Sequence, residues 1–136
     1  MPDNRTVLSD YFIDDGRDVF AGTHLLLDIW EARNLEDPHV IGNSLETAAL
    51  DAGATVLHKH FYSFGPGQGV SGVLVLAESH ISIHTWPSRK FASIDIFMCG
   101  KCDPRDTLVE IKKTFAGKIE VSAHKRGLNN SPEMAT

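Results

Sequence analysis

The clearest pattern in the chain is a period of two. Ile81 and Ile83 alternate with His80, Ser82 and His84, and Ile94, Ile96 and Met98 alternate with Ser93, Asp95, Phe97 and Cys99. Successive strand side chains point to opposite sides, so each set predicts a strand with one apolar and one polar face. His24 to Trp30, Ala54 to Phe64 and Val73 to Ala77 also have strand length and composition, and Ile119 to Ala123 can close a last strand. Glycines at 65, 67, 69 and 72 with Pro66 mark the loop before Val73.

The period becomes helical twice. Asp37-Pro38 offers an N-cap followed by proline at the first helical position, and Val40, Ile41, Leu45, Ala48, Ala49 and Ala52 recur at helical spacing until Gly53. Asp103-Pro104 repeats that start, with Leu108, Ile111 and Phe115 on one stripe that ends near Gly117. The order strand, helix, three or four strands, helix, strand predicts an α+β two-layer sandwich, with both helices on the aliphatic face of a mainly antiparallel sheet. The opposite face then carries His80, Ser82, His84, Ser93, Asp95 and Cys99, a place for chemistry or for a partner. Residues 1–21 scatter Leu8, Tyr11, Phe12, Val19 and Phe20 among acids without a lasting period, and read as an arm or poorly ordered lead-in. Residues 128–136 read as a polar tail.

Composition narrows the function classes. With 136 residues, 42% of them hydrophobic and 23% charged, the chain fits one soluble domain able to bury a core without staples. Its net charge of −5 and the lack of any Lys/Arg tract make nucleic acid an unexpected partner. The longest aliphatic run, Val73 to Ala77, is too short for a bilayer, and Met1 to Tyr11 lacks a basic segment followed by an apolar one. A cytoplasmic protein is expected. Cys99 and Cys102 stand too close together for a spaced disulfide framework, which also fits a reducing compartment.

Candidate chemistry concentrates in Glu78-Ser79-His80-Ile81-Ser82-Ile83-His84, where a hydroxyl adjoins a carbonyl and two imidazoles follow within five residues. The plainer account is a strand whose polar face holds Ser and His. The preceding loop with Ser71 and the following Trp86-Pro87, an aromatic wall and a fixed turn, weigh against it. Gly69-Val70-Ser71-Gly72 does not fit a hydrolase nucleophile elbow, because its second glycine falls one place early. His58 and His60 with Cys99 and Cys102 suggest zinc, but no second pair completes a four-ligand pattern, and no metal is expected. A thioredoxin-like redox role for the single C-x-x-C lacks the usual strand-to-helix setting.

Gly69-Val70-Ser71-Gly72, Glu78-Ser79-His80, Ile83-His84-Thr85-Trp86-Pro87 and Asp95-Ile96-Phe97-Met98-Cys99-Gly100 with Asp103-Pro104 occur in an order and spacing that resemble the short prokaryotic S-adenosylmethionine decarboxylases, which use a pyruvoyl group. The resemblance runs from about Gly22 through Gly127. It implies a proenzyme domain over 22–127 that cuts itself between Glu78 and Ser79 into residues 1–78 and 79–136. In that chemistry the Ser79 hydroxyl attacks the Glu78 carbonyl to give an ester, β-elimination releases the amino-terminal piece, and the dehydroalanine left behind hydrolyses to pyruvoyl. The pyruvoyl carbonyl forms a Schiff base with the substrate amine and accepts the electrons freed by decarboxylation.

By resemblance Ser71 assists processing, His84 moves the proton in elimination, Cys99 reprotonates the product, and Phe64 and Trp86 flank the adenine. The implied product is the aminopropyl donor for spermidine, and the implied assembly a homodimer of processed units. One position departs: Ser88 stands where the family places a ribose-binding Glu. A serine cannot make the paired charge-assisted bonds of a carboxylate, which opens the same chemistry on L-ornithine or L-arginine as an alternative. An unprocessed, non-enzymatic homologue or a metal-binding module is the second alternative.

Overall fold

A computed structural model describes residues 5–77 and 79–128; residues 1–4 of the expected arm, Glu78 at the expected cut, and residues 129–136 of the expected tail lie outside the described residues. The elements are β1 (Thr6–Val7), β2 (Ile13–Asp14), β3 (Val19–Phe20), β4 (Gly22–Trp30), α1 (Pro38–Asp51), β5 (Val56–Ser63), β6 (Val70–Leu76), β7 (Ser79–Trp86), β8 (Phe91–Cys99), α2 (Leu108–Phe115) and β9 (Lys118–Arg126). Six of the strands form one sheet in the order β5-β6-β7-β8-β4-β9, and each neighbouring pair is antiparallel. The period-two strands lie at its centre, as their fully buried alternate positions require. Leu25, Leu27 and Ile29, Ile81 and Ile83, and Ile94, Ile96 and Met98 pack against Ile41, Leu45, Ala48 and Ala49 of α1 and Ile111 and Phe115 of α2. Both helices therefore cover the aliphatic face, and the α+β two-layer arrangement follows.

Helix α1 starts as its sequence dictates, with the Asp37 carboxylate accepting from the His39 N–H at 2.9 Å ahead of Pro38. The second Asp-Pro behaves differently. Asp103 accepts from the Arg105 N–H at 3.0 Å, but Pro104–Thr107 wind as a 3₁₀ turn and the α-helix begins only at Leu108. The buried Thr107 hydroxyl donates to the Pro104 carbonyl at 2.6 Å and satisfies itself within that turn.

Two glycines of the Gly69–Gly72 run answer to packing. A Cβ at Gly69 would overlap the Thr85 carbonyl, and one at Gly72 would overlap the Phe61 ring. Thr85 is itself buried; its hydroxyl accepts from the Val70 N–H at 2.8 Å and donates to the Leu35 carbonyl at 2.7 Å. It ties the start of β6, the end of β7 and the chain after β4 together.

The amino-terminal segment differs from the lead-in its sequence suggests. Strands β1, β2 and β3 form a small meander, with Ile13 fully buried and Phe20 nearly so. Strands of two residues are too short to display a period, so nothing in the pattern announces them. Lys125 of β9 holds the meander through Asp15 at 2.8 Å and Asp18 at 2.7 Å. Among the described residues no helix is long and apolar enough to cross a membrane.

Candidate active site

The face turned away from the helices carries the polar residues that the alternation assigns to it. Its rows run across the strands, and the sequence-derived residues divide between its two ends. At one end Tyr62, Ser71, His84 and Ser93 stand side by side in register. Ser71 Oγ and His84 Nδ1 are 3.0 Å apart. Trp86 follows His84 on the same face, its ring 6.4 Å from the imidazole and 5.4 Å from Phe91, which stacks in turn on Trp30 at 4.4 Å. Phe64 lies just past Tyr62 and meets it edge-on at 4.9 Å. Phe64 and Trp86 are 61% and 45% exposed, so neither is a core aromatic, and both are open to a flat ligand or a partner. Ser88 is exposed in the 3₁₀ turn Pro87–Arg89 that leaves this end.

Ser79 and Cys99 occupy the other end. Ser79 opens β7 opposite Leu76, directly after the two-residue link of Ala77 and Glu78. Cys99 closes β8 opposite Gly22, two residues beyond the Phe97 that faces His80. The pair is thus adjacent in register but on opposite faces, because Ser79 shares the side of Ile81 and Ile83. Ser79 contributes to a cavity of about 470 Å³, together with Val7, Tyr11, Ala54, Thr55 and Cys102. Five residues of extended strand separate Ser79 from His84, about 17 Å at ~3.4 Å per residue. Within one chain the imidazole therefore does not reach Ser79, contrary to what their closeness in sequence suggests, and an odd spacing also puts them on opposite faces.

Between the ends lies a cluster that the sequence reading did not assemble. Asp95 Oδ2 accepts from His24 Nε2 at 2.7 Å and His80 Nε2 at 3.0 Å, while the Ser82 hydroxyl donates to Oδ1. Burial alone would raise the pKa of Asp95, but the hydrogen bonds from Ser82, His80 and His24 outweigh it and hold the carboxyl below its ordinary value. His24, His80 and Asp95 converge as the ligands of a metal site would. Arg126 Nη1 lies 3.0 Å from His24 Nδ1, however, and a guanidinium only donates. His24 Nδ1 is then the acceptor and Nε2 carries the proton, so its lone pair is not open to a cation. His24 escaped notice because Leu26 hides the alternation of His24 and Asp28 inside an apolar run.

The zinc candidates do not converge. His58 and His60 lie exposed on β5, three strand spacings from β8 and Cys99, about 14 Å at ~4.8 Å per strand.

Comparison with known proteins gives a consistent set of similarities. A family model described as S-adenosylmethionine decarboxylase matches residues 23–127. An S-adenosylmethionine decarboxylase proenzyme of Methanococcus maripaludis strain C5 is 44% identical over 111 residues, 79% of this chain and 90% of that protein. One of Syntrophomonas wolfei is 41% identical over 116 residues, 82% of this chain and 91% of that protein. The crystal structure of the adenosylmethionine decarboxylase from Aquifex aeolicus superposes with a TM-score of 0.72 at 31% identity, covering 82% of this chain and 95% of that one.

Proposed function

The chain belongs to the S-adenosylmethionine decarboxylase family, and we propose that it cuts itself between Glu78 and Ser79 and then decarboxylates S-adenosylmethionine, as a pyruvoyl-dependent carboxy-lyase supplying aminopropyl groups for spermidine. The observation that carries this reading is the position of Ser79: it is the first residue of β7, beside a cavity, with Cys99 at the end of the adjoining strand. A pyruvoyl group made from Ser79 supplies an electron sink for the charge left when carbon dioxide departs. Its formation suits the site. Cutting after Glu78 turns residue 79 from part of a hairpin into a chain end, free to turn toward the face that bears Cys99. The Cys99 thiol then donates a proton to the product's α-carbon.

The Ser71–His84 couple takes up and returns the proton of processing, since an imidazole nitrogen can accept a proton and give it back. Phe64 and Trp86 receive the adenine, and Ser88 offers one hydrogen bond to a ribose hydroxyl. These groups sit some 17 Å of strand from Ser79 (about five residues at ~3.4 Å each), so they act on the Ser79 of a second copy. A homodimer with the polar faces opposed and the strands reversed brings each end against the opposite end, as two-fold symmetry demands. The exposed Trp30, Tyr62, Phe64 and Trp86 support that face as one to be covered. Reduced Cys99 and Cys102 suit the cytoplasm as its setting.

Intact mass of the purified protein tests the reading. Two pieces, one ending at residue 78 and the other beginning with a residue 79 that has lost ammonia, are expected, with Ser79→Ala remaining full length. Carbon dioxide should be released from S-adenosylmethionine in preference to ornithine or arginine. A wild-type chain that stays whole and releases none would overturn it.

A further inference from the structure

Resting on the reading that Ser79 and Cys99 carry the chemistry, we infer that residues 5–20 belong to the active site, as a clamp that holds the two strand ends in place once the link at 77–78 is cut. The matched family region begins only at residue 23, so this segment lies ahead of it. It reaches the surroundings of both reacting positions. Val7 and Tyr11 wall the cavity to which Ser79 contributes, and Lys101 and Cys102 line the same space. The Tyr11 carbonyl accepts from the Gly100 N–H at 3.2 Å, and Arg5 Nη2 donates to the Lys101 carbonyl at 3.3 Å, so the turn that follows Cys99 is fastened to the arm at two successive residues.

Tyr11 adopts φ 68°, a left-handed conformation that costs an L-residue about 1–2 kcal/mol, and in it the carbonyl meets Gly100. The arm is anchored well enough to bear on the turn. Ile13 and Phe20 are buried and Lys125 grips Asp15 and Asp18.

The physical need arises with the cut. In the whole chain β7 begins where a two-residue link holds it to β6. In the cut chain that tether is gone, residue 79 is a terminus, and a displacement of about 1 Å between the reacting groups is enough to cost up to roughly a hundredfold in rate. Contacts from the arm, which is covalently part of the other piece, take over the restraint on the cavity side. Tyr11 and Val7 are therefore positioning residues.

The test compares full-length wild type with Tyr11→Ala, Tyr11→Phe and Val7→Ala, each scored for self-cleavage by intact mass. Activity is expressed per cleaved chain. Tyr11→Ala should cleave normally, lose about tenfold in kcat with KM within about twofold, and inactivate faster per turnover as protonation goes astray. Tyr11→Phe, which keeps the ring, should restore all of these. Val7→Ala, on an exposed two-residue strand, should shift them in the same direction by less. Wild-type kcat and inactivation per turnover in Tyr11→Ala and Val7→Ala would overturn the clamp while leaving the proposed function standing. Loss of cleavage in both would also overturn it, by placing the arm's role before the cut. A wild-type chain that neither cleaves nor decarboxylates would instead remove the reading on which the clamp rests.

Discussion

The two ends of the large sheet are ordered by different means. At the Ser71–His84 end Ser71, His84 and Trp86 stand within strands that are paired on both sides, and the buried Thr85 locks the backbone from which Ser71 and His84 project. At the Ser79–Cys99 end the functional residues are the first and last of their strands, next to a link and a turn. Their restraint comes from outside the sheet, through the arm. The difference suits the tasks proposed for them. Groups that only shuttle a proton or bind a ring gain from being rigid beforehand, whereas a residue that is to become a chain end needs freedom to move and then something to hold it.

The largest effect expected from this division is all-or-none. His84→Ala and Ser79→Ala chains should each remain uncleaved when made alone. Co-expressed, they should yield cleaved His84→Ala chain, up to about a quarter of all chains for random two-fold pairing, because its intact Ser79 meets the partner's intact His84. Intact mass of the mixture decides; cleavage of the His84→Ala chain alone would join both ends within one molecule. A smaller effect is expected from Thr85→Val, which keeps the shape but leaves the Val70 N–H and Leu35 carbonyl without this partner. Denaturant unfolding should show a loss of about 1–3 kcal/mol.

The mildest probe addresses the Asp95 cluster between the ends. Its carboxyl has a folded-state pKa below the ordinary 3.8, so the stability it contributes is complete above that value and is lost as pH falls through the lower, folded one. Thermal unfolding of wild type and Asp95→Asn from about pH 6 to about pH 3 should show a constant gap that narrows below the ordinary carboxylate value. A gap independent of pH would mean that shape alone, and not charge, holds His24 and His80.

Much of the scaffold is legible in residue order because strong local rules coincide with burial. Alternation at Ile81–Ile83 and Ile94–Met98 gives strands and faces at once, and Asp37-Pro38 gives a helix start that a hydrogen bond completes. The meander over residues 6–20 is not legible, since its order comes from long-range contacts of Ile13, Phe20 and Lys125 with no local period. At the site, the identities of Ser71, Ser79, His84 and Cys99 stand out as chemistry, but nearness in sequence misleads about nearness in space. A helix would bring residues 79 and 84 within reach; a strand carries them apart and turns them to opposite faces. The Asp95 cluster needs registers that join residues 24, 80, 95 and 126 across four strands, which no single stretch contains.

Strand order has a last consequence for the history of the molecule. Divided after residue 78, the sheet β5-β6-β7-β8-β4-β9 would alternate in ownership: β5, β6 and β4 to the first piece, β7, β8 and β9 to the second. Three ladders, β6 with β7, β8 with β4 and β4 with β9, would then be shared, and β4 would lie between two strands of the other piece. Such pieces are interleaved and do not part without unzipping the sheet. Folding of the uncut chain is a first-order event that needs no partner, whereas recovery of the cut protein after denaturation would require two chains to find each other and thread strands between strands, at a rate that falls with dilution. On the proposed cut, the continuous chain would serve as a folding template used once, and the persistence of the divided protein would be kinetic as well as thermodynamic.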